Sequence, residues 1–366
     1  MKDRLLNLKI EKFRGIKNLE LNELNDINII LGDNNSGKTS ILEAINLLKS
    51  DNIFNLFSML KNRNLSYDIN NFIYYFPIHE NNIKMHANLL KGKTNLDISY
   101  EEKSVVFDKE TYVAGLNEEL KAAYSRLIDM SQQHGKEDKK IICKIKYNDV
   151  EKEYDFLNFD LKYGRISENY SDDIVKIITE TPFDHFKNTL SIMPDILSSD
   201  SYSKMYIEVL RLFDSSIENV MIINNKNYPF IFDVYVKKEN EDPMPLSIFG
   251  DGLKKVALLG SFLVKSRDGI LLIDEIETSL HHKYYSDVFA FIVRIARAFN
   301  VQVFITTHND ETIKEFLKIN EKYKDNKNDI VNIYTIRNKK EKTYARLLKG
   351  SEAYEYIVLN GNEGRL

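Results

Sequence analysis

Apolar and polar residues alternate along residues 6–13, and this two-residue period predicts a strand with one buried face. A second short strand is predicted at 19–21, so the chain is expected to open with a small antiparallel sheet. The apolar run at 27–31 predicts a buried strand. It leads through a polar, glycine-containing stretch into an apolar helix that begins near Ile41.

The interval between about residues 49 and 238 changes its pattern repeatedly, as expected for a large α+β insertion. Its polar stretch 132–140 is predicted to be a solvated loop because it mixes charges without apolar periodicity. The predicted strands are 83–88, 95–107, 141–147, 150–156, 220–223 and 230–236, and the predicted helices are 116–133, 172–178 and 205–213.

The pattern becomes regular again beyond residue 240. The apolar run 270–273 closes with Asp274, which is typical of a strand buried on both faces of a parallel sheet. Apolar residues at helical spacing over 282–299 predict a helix that packs on this sheet, and 301–306 predicts the next strand. The remaining predictions are a helix at 252–264, a hairpin formed by 330–337 and 343–348, and a short helix at 352–359.

The composition of the chain limits the kinds of protein that it can be. With 366 residues, of which 43% are hydrophobic, the chain is expected to fold throughout. Cys143 is the single cysteine, so no intramolecular disulfide is possible, and its simplest role is that of a small buried hydrophobic residue. The absence of a leader-like start and of a long apolar run predicts a cytoplasmic protein without a membrane partner. A net charge of −4 permits only a local basic patch.

Residues 32–39 form a complete phosphate-binding loop between a predicted strand and a predicted helix. We expect the backbone N–H groups of the loop and the helix dipole to hold the phosphates of a nucleoside triphosphate. Lys38 is expected to reach the β and γ phosphates, and the Thr39 hydroxyl to bind Mg²⁺. The residues predicted to bind the nucleotide here are Asn34, Asn35, Ser36, Gly37, Lys38, Thr39 and Ser40.

Hydrolysis also needs an acid for the metal, a group that orients water and a sensor of the terminal phosphate. Asp274 is predicted to hold Mg²⁺, and the adjacent Glu275 to face the attacking water. His308 follows the strand predicted at 301–306, so it is expected at the same sheet edge, where it can contact the γ-phosphate. The alternatives are an acidic strand end and a structural histidine.

Gly250, Asp251 and Gly252 precede a predicted helix, and N–H groups at a helix start can bind a phosphate. Because the first loop already holds one triphosphate, this second helix start would serve best from another protomer. A plain helix cap is the competing interpretation.

These motifs, in this order, resemble the ATPase head of the ABC superfamily that is shared by RecF, SMC and OLD-type proteins. The segment 275–281 is especially similar to the OLD-like group. The resemblance covers mainly 1–50 and 240–310. It implies an α/β P-loop NTPase of ABC-ATPase type with an N-terminal antiparallel β subdomain and a large α+β insertion. We assign 1–50 and 240–366 to the head, and 51–239 to an inserted lobe that partly completes it.

The resemblance implies a homodimer in which two heads enclose two ATP molecules, with Gly250, Asp251 and Gly252 acting in trans. Asp274 would bind Mg²⁺, Glu275 would polarise water, and His308 would be the switch histidine. Arg14 is similar to a basic residue near the nucleotide, although a surface arginine in a turn explains it equally well. The preference for ATP over GTP rests on the resemblance alone.

The chain departs from the family pattern in three places. Phe249 stands where transporter heads have a serine before the glycine pair, so a hydroxyl contact is lost. A glutamine loop cannot be assigned, since Gln132 and Gln133 lie in the predicted solvated loop. Nuclease members of the OLD group carry a Toprim domain after the head, which does not fit the short segment here, so intrinsic nuclease activity is not expected.

The leading hypothesis is an ATP-driven dimerisation switch that acts with a separate effector protein in DNA repair or in anti-phage defence. The alternative is a nucleotide-gated DNA- or RNA-binding protein with little hydrolysis; a transporter ATPase subunit fits the motifs less well. Lysines that would contact nucleic acid, or form a solvated surface, are Lys91, Lys93, Lys139, Lys140, Lys339, Lys340 and Lys342.

Overall fold

The computed structural model describes residues 3–362 except 64, 67, 132, 163–172, 182–185, 212, 225–231, 279, 325–327 and 340–341. The strands in these residues are β1 Leu5–Phe13, β2 Ile16–Leu21, β3 Ile27–Leu31, β4 Asn82–Leu89, β5 Gly92–Val106, β6 Glu137–Tyr147, β7 Val150–Leu157, β8 Ile177–Glu180, β9 Ile217–Asn224, β10 Phe232–Lys238, β11 Met244–Pro245, β12 Ile270–Ile273, β13 Gln302–Thr307, β14 Val331–Lys339 and β15 Lys342–Lys349.

The α-helices in the same residues are α1 Lys38–Leu47, α2 Phe54–Asn62, α3 Ile69–Ile73, α4 Lys109–Ala114, α5 Glu118–Ser131, α6 Asn158–Lys162, α7 Phe186–Leu197, α8 Asp200–Arg211, α9 Asp251–Lys265, α10 Tyr285–Ala298, α11 Asp310–Tyr323 and α12 Gly350–Ala353. Short 3-10 helices lie at Leu246–Ile248 and His282–Tyr284, and a π-helical turn lies at Tyr354–Leu359.

A central sheet has the strand order β15-β14-β3-β13-β12-β8. All neighbouring pairs are parallel except β14 with β15. Every residue of β3, β12 and β13 is buried, which confirms the prediction of strands covered on both faces. Because the parallel strands share one direction, their carboxyl ends form one edge, where ligands bind in open α/β sheets.

The two faces of the central sheet belong to two hydrophobic cores. Leu271 and Ile273 face the core built with helices α7 to α11, whereas Ile270 and Leu272 face the core that contains α1. Alternate residues of one strand therefore serve opposite layers, as the pleat requires. Burying each of these side chains stabilises the fold by about 1.5–3 kcal/mol.

A second sheet is antiparallel, with the order β2-β1-β4-β5-β6-β7. The sequence predicted a small sheet of β1 and β2 only. The observed sheet is larger, because strands of the inserted region extend it. Cys143 lies in β6 and is fully buried, as expected from the sequence, and burial raises the pKa of its thiol to about 12. A third, three-stranded sheet has the order β11-β10-β9.

Two predictions in the insertion are wrong. Residues 173–176 are not helical, and residues 177–180 form β8, which pairs with β12; Asp172 lies outside the described residues. The β-branched residues of this short run suit a strand once a partner strand is present. The predicted loop at 132–140 is a turn only up to Lys136, because Glu137–Lys140 pair with β5; Gln132 is likewise not described. The helices α2, α3, α4, α6, α7 and α11 were not predicted.

Every helix in the described part of the chain is too short or too polar to cross a lipid bilayer.

Candidate functional site

The loop between β3 and α1 is curled by its own backbone and by one buried lysine. Lys38 Nζ donates hydrogen bonds to the carbonyl oxygens of Gly32 and Asp33 at 2.7 and 2.9 Å. Asn35 and Gly37 have φ values of 64° and 96°, which turn the chain into α1. A Cβ atom on Gly32 would lie 2.5 Å from Ser36 Oγ, so this position has no room for a side chain.

The loop surface suits an anion. Asn34 and Asn35 are exposed, and Ser40 lies in the first turn of α1. The Ser36 side chain is buried, and its Oγ has no hydrogen-bond partner among the described groups, so it is a polar atom that a phosphate oxygen can satisfy. Backbone N–H groups at a helix start add a positive field.

Asp274 follows β12 and meets the loop directly. The Thr39 hydroxyl donates to Asp274 Oδ2 at 2.9 Å, and the Thr306 hydroxyl donates to Oδ1 at 2.5 Å. The Asp274 side chain is buried, and burial raises the pKa of its carboxyl, although these two hydrogen bonds act in the opposite direction. Thr39 and Asp274, which are 235 positions apart in the sequence, are thus in direct hydrogen-bond contact.

Glu275 is held in an unusual backbone conformation. Its φ of 47° is in the left-handed region, which a residue with a side chain rarely occupies. The Glu275 N–H donates to Thr306 Oγ1 at 2.8 Å and fixes this conformation. The same threonine therefore positions both acids, and strain of this kind is concentrated at functional sites.

A cavity of about 310 Å³ lies beside these acids. Its volume is that of a small-ligand pocket. Residues from α1, from the end of α2 and from the ends of β8 and β12 line it. They are Thr39, Leu42, Glu43, Asn46, Met59, Arg63, Thr179, Thr181, Asp274 and Glu275.

Two arginines share the carboxylate of Glu43. Arg63 donates from Nε to Glu43 Oε1 at 2.5 Å, and Arg14 donates to Oε2 at 2.8 Å. Burial disfavours the charged form of Arg63, but the hydrogen bond and charge of Glu43 outweigh burial and raise the pKa of Arg63. Arg14 lies 5.4 Å from the ring centre of Tyr75. The predicted nucleotide contact Arg14 is thus anchored on α1, while Arg63 lines the cavity.

His308 lies at the same sheet edge but outside the cavity lining. Its ring Nδ1 is 3.0 Å from Glu277 Oε1, and its backbone N–H donates to the same oxygen at 3.1 Å. The Glu277 side chain is only 9% exposed, so a nearly buried carboxylate orients an imidazole that is half exposed.

Gly250 caps α9, and Asp251 and Gly252 form its first turn. The Asp251 side chain is 80% exposed, and a Cβ on Gly250 would meet no atom within 4 Å. Gly252 packs against Phe213 and Tyr284. Gly250 and Asp251 face solvent, Gly252 is buried, and all three lie outside the cavity lining, so their predicted role in trans stays a prediction.

The residues present fit Mg²⁺ as the predicted metal. Among the described residues, no group of three or more His, Cys, Asp or Glu side chains is arranged to hold a metal ion. Mg²⁺ needs no such cluster, because it takes one or two protein oxygens and completes its shell with phosphates and water. Thr39 and Asp274 offer that pair of oxygens.

Several contributors to the site were not predicted from the sequence, namely Glu43, Arg63, Thr179, Thr181 and Thr306. The pair Thr306-Thr307 before His308 is a signal that could have identified the threonine. Nothing in the sequence places Arg63 near the acids.

The sheet and its edge define the class of protein. The strand of the phosphate loop, β3, is separated from the strand of the acids, β12, by β13, which ends next to His308. This arrangement is that of a P-loop ATPase of ABC type.

A family model described as "AAA domain, putative AbiEii toxin, Type IV TA system" matches residues 27–314, and the chain belongs to this family. A curated protein of Helicobacter pylori called "ATP/GTP phosphatase" is 23% identical over 326 residues, covering 84% of this chain and 86% of that protein. The chain is accordingly an ATPase.

The DNA replication and repair protein RecF of Haemophilus ducreyi is 35% identical over 107 residues, which span 28% of this chain and 29% of RecF. Among solved structures, the SMC head domain of Thermotoga maritima matches with a TM-score of 0.47 and 11% identity, covering 94% of this chain and 99% of that one.

Proposed function

We propose that the chain is a dimerisation switch driven by binding and hydrolysis of ATP. The contacts among Thr39, Asp274, Thr306 and Glu275 carry this proposal, because they join the phosphate loop to the two acids within one hydrogen-bonded unit. An ATPase needs a loop, a metal ligand and a water-orienting base at one place.

The side chains have separate tasks in this proposal. The loop N–H groups and Lys38 would hold the β and γ phosphates. Thr39 and Asp274 would hold Mg²⁺, which neutralises charge that develops on the phosphates. Glu275, fixed by Thr306, would orient the attacking water and accept its proton. Arg63 would add positive charge at the same cavity.

His308 would sense the terminal phosphate. Glu277 engages Nδ1, so the phosphate contact would be made by Nε2. A histidine that is half exposed at the sheet edge can respond to closure of the site by a second chain.

The partner in that closure would be a second copy of this chain. Gly250 and Asp251 at the start of α9 are exposed and lie outside the cavity, so their N–H groups would be available to another protomer, whereas Gly252 is buried behind them. Residues 51–239 would form the inserted lobe that passes closure and reopening to an effector.

We further propose that the switch serves DNA repair or anti-phage defence together with a separate effector protein, as an OLD-like ATPase without its own nuclease. The family description names a toxin of a toxin–antitoxin system, and RecF is named for DNA replication and repair. The name of the Helicobacter pylori relative leaves GTP open as a second substrate.

Replacing Glu275 with Gln tests the mechanism. The variant should bind ATP but hydrolyse it about 10²–10⁴ times more slowly, because the amide cannot accept a proton. Phosphate release measures hydrolysis, and light scattering after size-exclusion chromatography measures dimers. The variant should accumulate as an ATP-dependent dimer.

The matched control is Glu315→Gln on α11, which lies outside the cavity and should behave like the wild type. Unchanged turnover in Glu275→Gln would contradict the catalytic assignment. Slow turnover without any ATP-dependent dimer would contradict the dimerisation switch.

A further inference from the structure

The turn after β12 carries a third acid, which contacts the end of β13. The Glu277 side chain is only 9% exposed, and its Oε1 accepts the backbone N–H of His308 at 3.1 Å. The same oxygen lies 3.0 Å from Nδ1 of the His308 ring. One carboxylate oxygen therefore fixes both the backbone and the imidazole of the residue that follows β13, while half of the histidine side chain is exposed.

Hydrogen bonds compensate the negative charge of this carboxylate only in part. Glu277 Oε2 is buried and has no hydrogen-bond partner among the described side chains and backbone groups. A buried carboxylate is costly unless a cation lies beside it. The His308 ring at Oε1 is such a cation when both of its nitrogens carry protons. The contact therefore suits a carboxylate that faces an imidazolium.

The segment that carries Glu277 also carries the proposed catalytic base. The Glu275 N–H donates to Thr306 Oγ1 at 2.8 Å, and the next N–H, that of Ile276, donates to the Thr306 carbonyl oxygen at 3.3 Å. The bond from the His308 N–H to Glu277 adds a further link between residues 275–277 and residues 306–308. The position of the His308 ring is thus set relative to the base.

We propose that Glu277 is a positioning residue, which holds His308 as an imidazolium whose Nε2–H points at the γ-phosphate. This inference rests on the sensor role proposed for His308. An imidazolium donates hydrogen bonds from both ring nitrogens at once. A neutral ring that donates to Glu277 through Nδ1 has only a lone pair at Nε2, which repels a phosphate oxygen. The charge of the carboxylate therefore decides whether the ring binds the terminal phosphate.

A plain structural role for this carboxylate predicts a different result from substitution. If Glu277 only accepted the His308 N–H to support the end of β13, the amide oxygen of a glutamine would replace it without loss of turnover. If its charge is needed, the glutamine keeps both acceptor contacts but leaves a neutral ring with a lone pair facing the phosphate. Glu277→Gln therefore separates positioning of the ring from support of the backbone.

Steady-state phosphate release by the full chain with ATP and Mg²⁺ tests the proposal. Glu277→Gln should lower kcat about tenfold, because a hydrogen bond that strengthens as charge develops on the γ-phosphate is lost. The KM for ATP should stay within about twofold of the wild type, since the phosphate loop supplies most of the binding. Glu311→Gln removes the same charge from an exposed position in the first turn of α11 and should leave both constants unchanged.

A double-mutant cycle shows whether the carboxylate acts through the imidazole. His308→Ala should lower kcat at least about tenfold, because the same phosphate contact is lost. Adding Glu277→Gln to His308→Ala should then change kcat by less than about twofold, since the group that Glu277 positions is already absent. Urea unfolding followed by circular dichroism is measured for every variant, so that slow turnover is distinguished from loss of folded protein.

Turnover at the wild-type rate in Glu277→Gln would overturn the positioning role and leave the carboxylate as a support of the backbone. Equal losses from Glu277→Gln with and without His308 would overturn it too, because the carboxylate would then act on another group. Turnover at the wild-type rate in His308→Ala would contradict the sensor role in the proposed function as well as this inference. The failure of the inference alone is thus distinguishable from the failure of the proposed function.

Discussion

The central sheet and the antiparallel sheet bury their residues in opposite ways. Residues of β12 are buried without exception, whereas β4 alternates between buried and partly exposed positions. Parallel strands covered by helices on both faces leave only their ends for polar chemistry. The antiparallel strands instead present a whole polar face to solvent. This difference explains why the site residues collect at one edge of the central sheet.

The ion pairs of the two sheets also differ in how far they are exposed to water. The ion pair of Lys255 with Glu180 at the functional edge has side chains only 9% and 2% exposed, with 2.8 Å between Nζ and Oε1. The pair of Lys144 with Glu153 crosses two strands of the antiparallel sheet, and its side chains are 53% and 58% exposed. Water screens the second pair and hardly reaches the first.

Removing the lysine of each ion pair should give the largest difference in stability between the two sheets. Lys255→Met should lower the free energy of unfolding by about 3–5 kcal/mol, because it leaves the Glu180 carboxylate buried without its cation. Lys144→Met should change it by at most about 1 kcal/mol, since both side chains are solvated. Urea unfolding followed by circular dichroism measures both changes.

A double variant keeps this prediction informative. Lys255→Met combined with Glu180→Leu removes both buried charges and should recover most of the lost stability. Equal losses of unfolding free energy in Lys255→Met and Lys144→Met would show that the two ion pairs are equally solvated. That result would contradict the proposed difference between the two sheets.

Two buried threonines offer a functional version of the comparison. Thr306 is fully buried at the end of β13, and Thr94 is 5% exposed in β5, where its side chain hydrogen-bonds to Tyr147. Thr306→Val should lower kcat about tenfold, because Asp274 loses a hydrogen-bond donor and the Glu275 N–H loses its acceptor, and one such bond is worth about 1–1.5 kcal/mol. Thr94→Val should leave kcat within about twofold of the wild type.

Steady-state phosphate release measures both variants. Thr306→Ser restores the hydroxyl and should restore kcat, which a purely structural effect of the methyl group would not do. A matching loss in Thr94→Val would mean that stability, and not the position of the acids, sets the rate.

The sequence predicted the central sheet better than the insertion, because strands that are buried on both faces leave continuous apolar runs in the sequence. Runs such as Ile27–Leu31 and Ile270–Ile273 are apolar throughout, and their ends carry the loop and the acids. The β8 strand is equally short but ends in Thr179 and Glu180, so it lacks a continuous apolar run, and its pairing with β12 decides its structure.

The site was predictable as far as its motifs are contiguous. Lys38, Thr39, Asp274 and Glu275 stand in recognisable local contexts. Arg63 reaches the cavity only because Glu43 holds it across 20 positions, and Glu277 orients His308 across 31. Such partners are set by tertiary packing, which leaves no periodic trace in the sequence.

The prediction with the smallest expected effect tests whether the interior of the antiparallel sheet excludes water as well as the central sheet does. Burial raises the pKa of Cys143 to about 12 from an ordinary value of 9.0. The folded chain therefore keeps this proton at a pH where the unfolded chain has lost it. Its stabilising contribution is complete below pH 9 and should fall by about 1 kcal/mol between pH 9 and 10.

Comparison of the wild type with Cys143→Ala isolates this contribution, because the other alkaline groups, including Tyr147, titrate in both. The free-energy difference between the two proteins should shrink by about 1 kcal/mol from pH 9 to pH 10 in urea unfolding. A difference that stays constant would mean that the thiol ionises in the folded chain. Water would then reach the buried side of β6, and the two sheets would differ in how well they exclude water as well as in their pattern of buried residues.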